Sequence, residues 1–446
     1  MACRRRRTRR ARRPGGVGRH GLQEAITQCL PGQFFSRWPL TAGTKWSPQR
    51  LCWLALLMAW SAEQTLQARF ALSRQVLRAL CPKWRLGKSY TGWQLAQLHW
   101  LPWLRPALTR RLRQQLRQAA GRYWQRQGWC AFAVDGSRVE CPRTRANERE
   151  LGCAGRHKTG PQLFLTTLWH LGTGLPWDFR IGPGTASERR HLEDMLADLP
   201  PQSLVIADAG FTGYDCCARL LAAGQNFLLR VGANVHLLRE LGYYEREGRD
   251  TVYLWPDQRR RQRPLVLRLL ALRRGRQQLH LLTNVLDPQV LPARQAAVFY
   301  EMRWGVEVFY RSLKQTLDKR KLLSRTPQAA ESELTWAMLG LWLLGLLSVS
   351  RIVARGADPL RWSVARARER VRASMQVALR RQHRDGSLAR DLGQALRDHY
   401  VRRHRKRARD WPHKKREQPP GQPDIQVASP EQRRAAQRLK AKKTAA

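Results

Sequence analysis

The stretch Trp129-Cys130-Ala-Phe-Ala-Val134-Asp135-Gly136-Ser137 decides how this chain is read. Before it, apolar residues recur at three- and four-residue steps, as in Leu51, Leu54, Leu57 and Met58, which is a helical period. From Cys130 to Val134 they run unbroken and stop at Asp-Gly-Ser, the pattern of a short buried strand entering a turn. Further on, residues 162–170 and 175–181 alternate as two strands around Gly172-Thr-Gly174, a hairpin. Ser187, with Glu188 in the first turn, opens a helix expected to reach residue 199. Ser203-Leu-Val-Ile-Ala207 is a fourth strand that ends at Asp208. A helix over 214–223 and a fifth strand over 226–231 follow. Three strands, a helix, a strand, a helix and a strand make a mixed α/β sheet.

Beyond this core, strand-like runs at 252–255, 264–272 and 278–282 carry no helical period and read as an all-β insertion. A long helix is expected over 293–323, a second over 328–352, and helical texture again over 361–400. The organisation is therefore a basic disordered arm (1–20) and a helical DNA-binding module (21–128). Next come the first part of the α/β core (129–233), a β-rich insertion (234–290) and the remainder of the core (291–352). A C-terminal helical region (353–400) and a basic flexible tail (401–446) close the chain.

Charge narrows the function. Lys and Arg number 82 against 33 Asp and Glu, a formal net charge of +49 over 446 residues. Such an imbalance repels itself and makes sense beside a polyanion, which argues against an ordinary small-molecule enzyme. A hydrophobic content of 43% argues equally against a disordered basic chain. The nine cysteines form no C-x-x-C pair and read as free thiols of a reducing compartment. The Arg-rich start runs into Pro14-Gly15-Gly16 without an apolar stretch, unlike a signal peptide. The apolar runs at 51–60 and 334–349 read as buried core helices rather than membrane spans. Trp93, Trp100, Trp103 and Trp124 lie among Arg105, Arg110, Arg111, Arg113, Arg117, Arg122 and Arg126. Two readings stand for that mixture: DNA-backbone contact, or core tryptophans with a solvated arginine face.

Acids are scarce, so an acid at the end of a buried strand is informative. Asp135 and Asp208 both sit where an apolar strand meets a glycine-containing turn. Either alone reads best as a turn-forming Asp. A pair at the ends of neighbouring strands can instead face each other across a cleft and offer oxygen ligands to a divalent metal. The third acid lies in Tyr300-Glu-Met-Arg303-Trp-Gly-Val-Glu307-Val-Phe-Tyr-Arg311-Ser-Leu-Lys314. At roughly 100° per residue, Tyr300, Arg303, Glu307 and Lys314 share one narrow helical stripe, and Glu301 lies off it. Periodicity alone favours an ordinary salt-bridged surface with Arg303 and Glu307 as an i, i+4 pair.

The spacing Y-x2-R-x3-E-x6-K, together with Asp135-Gly136-Ser137 and Ile206-Ala-Asp208-Ala-Gly210-Phe211 upstream, resembles the transposases of the bacterial insertion-sequence-four family. The resemblance covers residues 132–323. It implies a ribonuclease-H-like catalytic core with a β-rich insertion before the glutamate, flanked by a helical N-terminal module and a helical, basic C-terminal region. Asp135, Asp208 and Glu307 are implied as catalytic metal ligands. Tyr300, Arg303 and Lys314 are implied as supporting or DNA-contacting residues, and Arg311 of the same helix is counted with them. The implied cofactor is a pair of Mg²⁺ ions, with Mn²⁺ as substitute, and no small-molecule cofactor. The implied partners are double-stranded DNA, as transposon ends and target, and a second copy of the chain on that DNA, away from any membrane. The implied setting is the bacterial cytoplasm, at the nucleoid. The implied activity is cut-and-paste transposition. Two alternatives are a DNA-binding protein without catalysis and a ribonuclease-H-like nuclease that cuts without joining. Trp255, the only Trp of the insertion, is a candidate platform for a displaced base, weighed against a plain core Trp.

Overall fold

The computed structural model describes residues 21–38, 40, 44–152, 160–233, 235–274, 277–380, 388–398 and 421–444. The expected arm at 1–20 and the first part of the tail, 401–420, lie outside the described residues. Five helices precede the sheet: α1 (Gly21–Cys29), α2 (Gly32–Phe35), α3 (Pro48–Trp60), α4 (Leu66–Leu80) and α5 (Tyr90–Ala120). Ser47, Thr65 and Ser89 start α3, α4 and α5 by accepting the backbone N–H of Arg50, Ala68 and Gly92, each satisfying a donor the helix leaves open.

The sheet begins with β1 (Ala131–Glu140), followed by α6 (Arg145–Leu151), β2 (Gln162–His170) and β3 (Leu175–Pro183). Next come α7 (Glu188–Glu193), β4 (Leu204–Ala207), α8 (Tyr214–Ala222) and β5 (Asn226–Val231). Strand β1 does not stop at Asp135: it continues five residues further and pairs antiparallel with β2 along its length, from Phe132↔His170 to Glu140↔Gln162. The Asp-Gly-Ser sequence read as a turn is therefore strand interior. The helix expected over 187–199 is shorter, ending at Glu193 before a single tight turn at Leu196–Asp198.

The insertion supplies β6 (His236–Arg239), β7 (Thr251–Leu254), β8 (Leu265–Arg274) and β9 (Gln277–Thr283). It does not form a sheet of its own. Antiparallel pairing of β9 with β5, from Leu228↔Thr283 to Val231↔His280, extends the core sheet through the insertion. The C-terminal segment adds β10 (Asp424–Val427), parallel to β6. The order is β10-β6-β7-β8-β9-β5-β4-β1-β2-β3, with β1, β4 and β5 parallel. Its β3-β2-β1-β4-β5 portion is the ribonuclease-H-like arrangement.

Helices α9 (Ala293–Met302), α10 (Trp304–Arg311), α11 (Pro327–Ala354), α12 (Val364–Leu379), α13 (Leu388–Gly393) and α14 (Pro430–Thr444) complete the fold. The single helix expected over 293–323 is broken at Arg303 and ends in a π-helical turn at Ser312–Thr316. The tail is also corrected over its described part, because β10 and α14 are ordered against the insertion. Asp424 meets His236 at 2.8 Å, Gln437 donates to the Gly242 carbonyl at 2.9 Å, and Arg433 stands 3.6 Å from Glu240.

Helix α11 is the core. It is the one helix among the described residues long and apolar enough to cross a membrane, and it is mostly buried, packed against α3, α5 and β3. The Trp60 indole donates to the Gly340 carbonyl at 2.9 Å, and a Cβ at Gly340 would fall 2.8 Å from that of Ala59. Small residues thus let α3 and α11 touch, and the N-terminal helices share one apolar core with the sheet. All seven described cysteines are buried and free.

Several arginines of the Trp-rich segment fasten it to the sheet. Arg113 is buried between Asp178 and Asp198, at 3.5 and 2.9 Å. Arg105 and Arg126 pair with Glu331 and Asp358, each at 3.2 Å. Trp93 is buried while Trp103 is exposed. The structural reading wins for these arginines and for Trp93.

Candidate active site

Strand register brings the two aspartates together. Ala133 on β1 is paired with Ile206 on β4, so Asp135 and Asp208, each two residues further on, leave adjacent parallel strands at the same level. Backbone anchors set both. The buried Tyr310 hydroxyl donates to the Asp135 carbonyl at 2.6 Å, and Asp208 Oδ1 accepts the Ala209 N–H at 2.9 Å.

Helices α9 and α10 bring the rest. Their junction is Arg303, which is buried. Arg303 Nη2 lies 3.2 Å from Glu307 Oε1 and 3.9 Å from Asp208 Oδ2. The Tyr300 hydroxyl donates to Asp208 Oδ1 at 3.1 Å, and Arg230 from β5 stands 3.6 Å from the same oxygen. The i, i+4 pair expected from periodicity is present, but it faces the strand ends rather than open solvent. The approach of α10 requires Gly305: a Cβ there would fall 2.1 Å from the Trp169 ring.

The electrostatics are unbalanced. Burial pushes the Asp135 carboxyl up to about 6, against the pull of Arg303 and the Gly136 N–H, and the Glu307 and Glu188 charges add to the rise. Burial also works against the charge on Arg303, yet Tyr300, Asp208, Asp135 and Glu307 together hold its guanidinium above its ordinary range. Tyr300 is raised to about 12 by burial and by the Asp208 charge. Among the described residues no three His, Cys, Asp or Glu side chains stand close enough to grip a metal ion in this arrangement. Arg303 lies between Asp208 and Glu307.

Lys314 falls in the π-helical turn, half-buried. Burial lowers its ammonium, and Glu140 and Asp135 pull it back up. Such turns recur at functional sites because they shift one side chain out of helical register. Arg311 is exposed one turn before it. Trp255 is not available to a displaced base: it is buried, its indole donates to the Gln262 carbonyl at 2.8 Å, and the Arg260 guanidinium covers its ring at 4.5 Å. Three groups at the site went unread in the sequence. Arg230 showed only within the Phe227-Leu-Leu-Arg230 run that matches the family, Tyr310 carries no local signal, and Glu188 showed only as an acid in a first helical turn.

Residues 127–343 match the family described as Transposase DDE domain, a span that holds Asp135, Asp208 and Glu307. The transposase InsG for insertion sequence element IS4 of Escherichia coli K12 is 27% identical over 229 residues, 47% of this chain and 51% of that protein. The match thus spans about half of that relative's length. Among solved structures, a piggyBac transposase synaptic complex with hairpin DNA is similar over 85% of this chain and 83% of that chain, with a TM-score of 0.42 and 10% identity. Over residues 127–343 the chain is thus similar to transposase DDE domains, and over about half its length to a transposase of insertion sequence element IS4.

Proposed function

We propose that the protein is a transposase that cleaves DNA at the ends of an insertion sequence and joins the freed strands to a target. Asp135, Asp208 and Glu307 are the groups that carry the chemistry. The observation that supports this most is the meeting of three acids, distant in sequence, around one buried guanidinium in a chain of net charge +49. In so basic a protein any acid could find a surface cation, yet the partly exposed Asp208 and Glu307 turn to the buried Arg303, beside a half-buried Asp135.

The donor set fits a hard divalent cation, which takes carboxylate oxygens, and the excess acid is what such an ion would balance. Asp135, Asp208 and Glu307 would hold it. Two Mg²⁺ ions, or Mn²⁺, would supply activation of the attacking water or 3′-hydroxyl and charge stabilisation at the leaving oxygen. The protein's own groups do the rest. Tyr300 fixes the rotamer of Asp208 through its hydroxyl. Arg303 holds Glu307 and Asp208 toward each other and would be placed to neutralise a phosphate oxygen. Lys314 and the exposed Arg311 follow along the same helix and contact the flanking backbone, where each phosphate contact releases counterions and makes binding salt-dependent. Double-stranded DNA is the substrate, and a dimer holding two element ends is the working form. Action on chromosomal DNA puts the protein in the cytoplasm, at the nucleoid.

The test is incubation with Mg²⁺ and a linear DNA that carries both sequences flanking this reading frame, together with a supercoiled target plasmid. The expected products are cut ends and target joined to them. Cut ends without joined target would leave a nuclease, and DNA bound but uncut would leave a binding protein.

A further inference from the structure

Two tyrosines tie the helices of the site to its two aspartates, by different routes. On α9 the Tyr300 hydroxyl donates to the Asp208 side chain at 3.1 Å. On α10 the Tyr310 hydroxyl reaches main chain instead. It lies 2.6 Å from the Asp135 carbonyl, with the Leu165 carbonyl of β2 further off at 3.4 Å. A hydroxyl has one proton to give, so the shorter contact is the bond. Tyr310 is buried, and a buried tyrosine oxygen has to find its partner within the protein.

A buried tyrosine that donates to a carbonyl is ordinarily a packing residue. Tyr214 is one: its hydroxyl donates to the Arg263 carbonyl at 2.6 Å and ties α8 to the insertion. Tyr310 differs in what it joins. It lies one turn beyond Glu307 on the same side of α10, and its acceptor belongs to the residue that bears the Asp135 carboxylate. The bond therefore links the element carrying one acid to the element carrying another. Toward its amino end α10 is set by the close approach of Gly305 to the Trp169 ring, so Glu307 sits between two fixed points. Directly after Arg311 the helix changes to the π-helical turn Ser312–Thr316, which carries Lys314. Tyr310 holds α10 to β1 just ahead of that change.

We infer that Tyr310 is a positioning residue of the proposed reaction, its hydroxyl holding α10 against β1 at the spacing that lets Glu307 act together with Asp135. The inference rests on the reading of Asp135, Asp208 and Glu307 as the site. Tyr310 itself need touch neither cation nor DNA. It acts through the Asp135 main chain and through the helix.

The test compares Tyr310→Phe with Tyr214→Phe in the full chain, since each removes one oxygen and one bond of the same length to a carbonyl. Both should lower the thermal midpoint of unfolding by a similar amount. Only Tyr310→Phe should weaken binding of Mn²⁺ alone, measured by calorimetry without DNA. The expected loss is about tenfold, the scale on which groups behind a metal's ligands act. Single-turnover cleavage of DNA carrying the flanking sequences should fall at least as far at saturating protein, with the half-saturating protein concentration unchanged. A protein with 4-aminophenylalanine at position 310 keeps a donor there and should retain both properties. Wild-type Mn²⁺ affinity and cleavage in Tyr310→Phe, with Asp135→Asn deficient in both, would make Tyr310 a packing residue like Tyr214. That result overturns the inference and leaves the three-acid site standing. Equal losses of Mn²⁺ affinity in the two tyrosine variants would overturn it too. Wild-type Mn²⁺ affinity in Asp135→Asn would instead remove the site on which the inference rests. Should Tyr310→Phe fail to fold, the 4-aminophenylalanine protein decides: normal unfolding with lost Mn²⁺ affinity there refutes the role of the donor.

Discussion

Glu333 on α11 and Asp135 on β1 are two carboxylates withdrawn from solvent, and they are held on opposite terms. Glu333, on α11, has one cation and a full set of donors: Lys319 Nζ at 2.6 Å, the N–H groups of Leu323 and Ser324 at 2.9 and 3.0 Å, and the Ser324 hydroxyl at 2.9 Å. Burial alone would raise its carboxyl, but the Lys319 ammonium and those donors outweigh it and hold Glu333 below the usual range. Around Asp135 the match is poorer: Asp208 and Glu307 share Arg303, Arg230 stands 3.6 Å from Asp208, and the Asp135 carboxyl is pushed up to about 6. A satisfied buried charge fixes structure: Glu333 pins the chain that leaves α10 onto the core. An under-compensated one, on the function proposed above, is where a bound cation would be balanced.

The widest gap should appear in activity. Asp135→Asn, Asp208→Asn and Glu307→Gln should each bring DNA cleavage to background without destabilising the fold or weakening DNA binding. Glu333→Ala should do the converse. Removing one partner of a buried pair costs about 3–5 kcal/mol, to be read from urea unfolding. Correct folding of the remainder should leave cleavage per native molecule intact. A Glu333→Ala protein that is fully stable but inactive would erase the distinction.

The two places should also answer pH with opposite sign. Glu333 is depressed, so its stabilisation is complete above its ordinary value of 4.5 and is lost as pH falls through the native value. Asp135 is raised, so its neutral form favours the fold fully below 3.8, and that contribution is lost as pH rises through about 6. With divalent ions chelated, Asp135→Asn should gain on wild type by roughly 2 kcal/mol between pH 5 and 8, and the gap should close toward pH 4. Equal unfolding curves at pH 8 would show that Asp135 carries no strain.

A smaller effect sharpens the geometry. Gly305→Ala places a methyl inside the Trp169 ring and should destabilise by about 1–3 kcal/mol. It should also lower cleavage by more than the loss of folded protein explains, because α10 carries Glu307 away from the strands. A loss of activity matching the loss of fold would make Gly305 merely a packing residue. Least of all, Lys440→Ala removes an exposed pair with Glu245 at 3.3 Å and should shift stability by about 1 kcal/mol or less.

The parts of this account that were legible in sequence are those encoded by local period or spacing. The apolar run into Asp135 and the strand ending at Asp208 were enough for two acids and the mixed sheet; Glu307 was singled out only through the family resemblance, since its helical period alone favoured a surface salt bridge. What stayed hidden depends on contacts between distant residues. Gly136 read as a turn because glycine usually marks one, whereas here it clears space for Phe164 and Glu188 inside a strand. The break at Arg303 leaves no mark in a helical period that continues unchanged across it. Four residues were too few for alternation to reveal β6, and β10 forms only because β6 offers an edge. Equal weight on DNA contact and structure for Arg105, Arg113 and Arg126 came from ignorance of their partners, Glu331, Asp178 and Asp358.

The most direct measurement is single-turnover cleavage in Mg²⁺ of DNA carrying the sequence ends that flank this reading frame, comparing wild type with the three acid variants at saturating protein. Cleavage by wild type alone, with all four proteins shifting the DNA equally on a gel, is the outcome the geometry requires. Near-wild-type cutting by any one variant would remove that acid from the site and contradict the joint action of Asp135, Asp208 and Glu307.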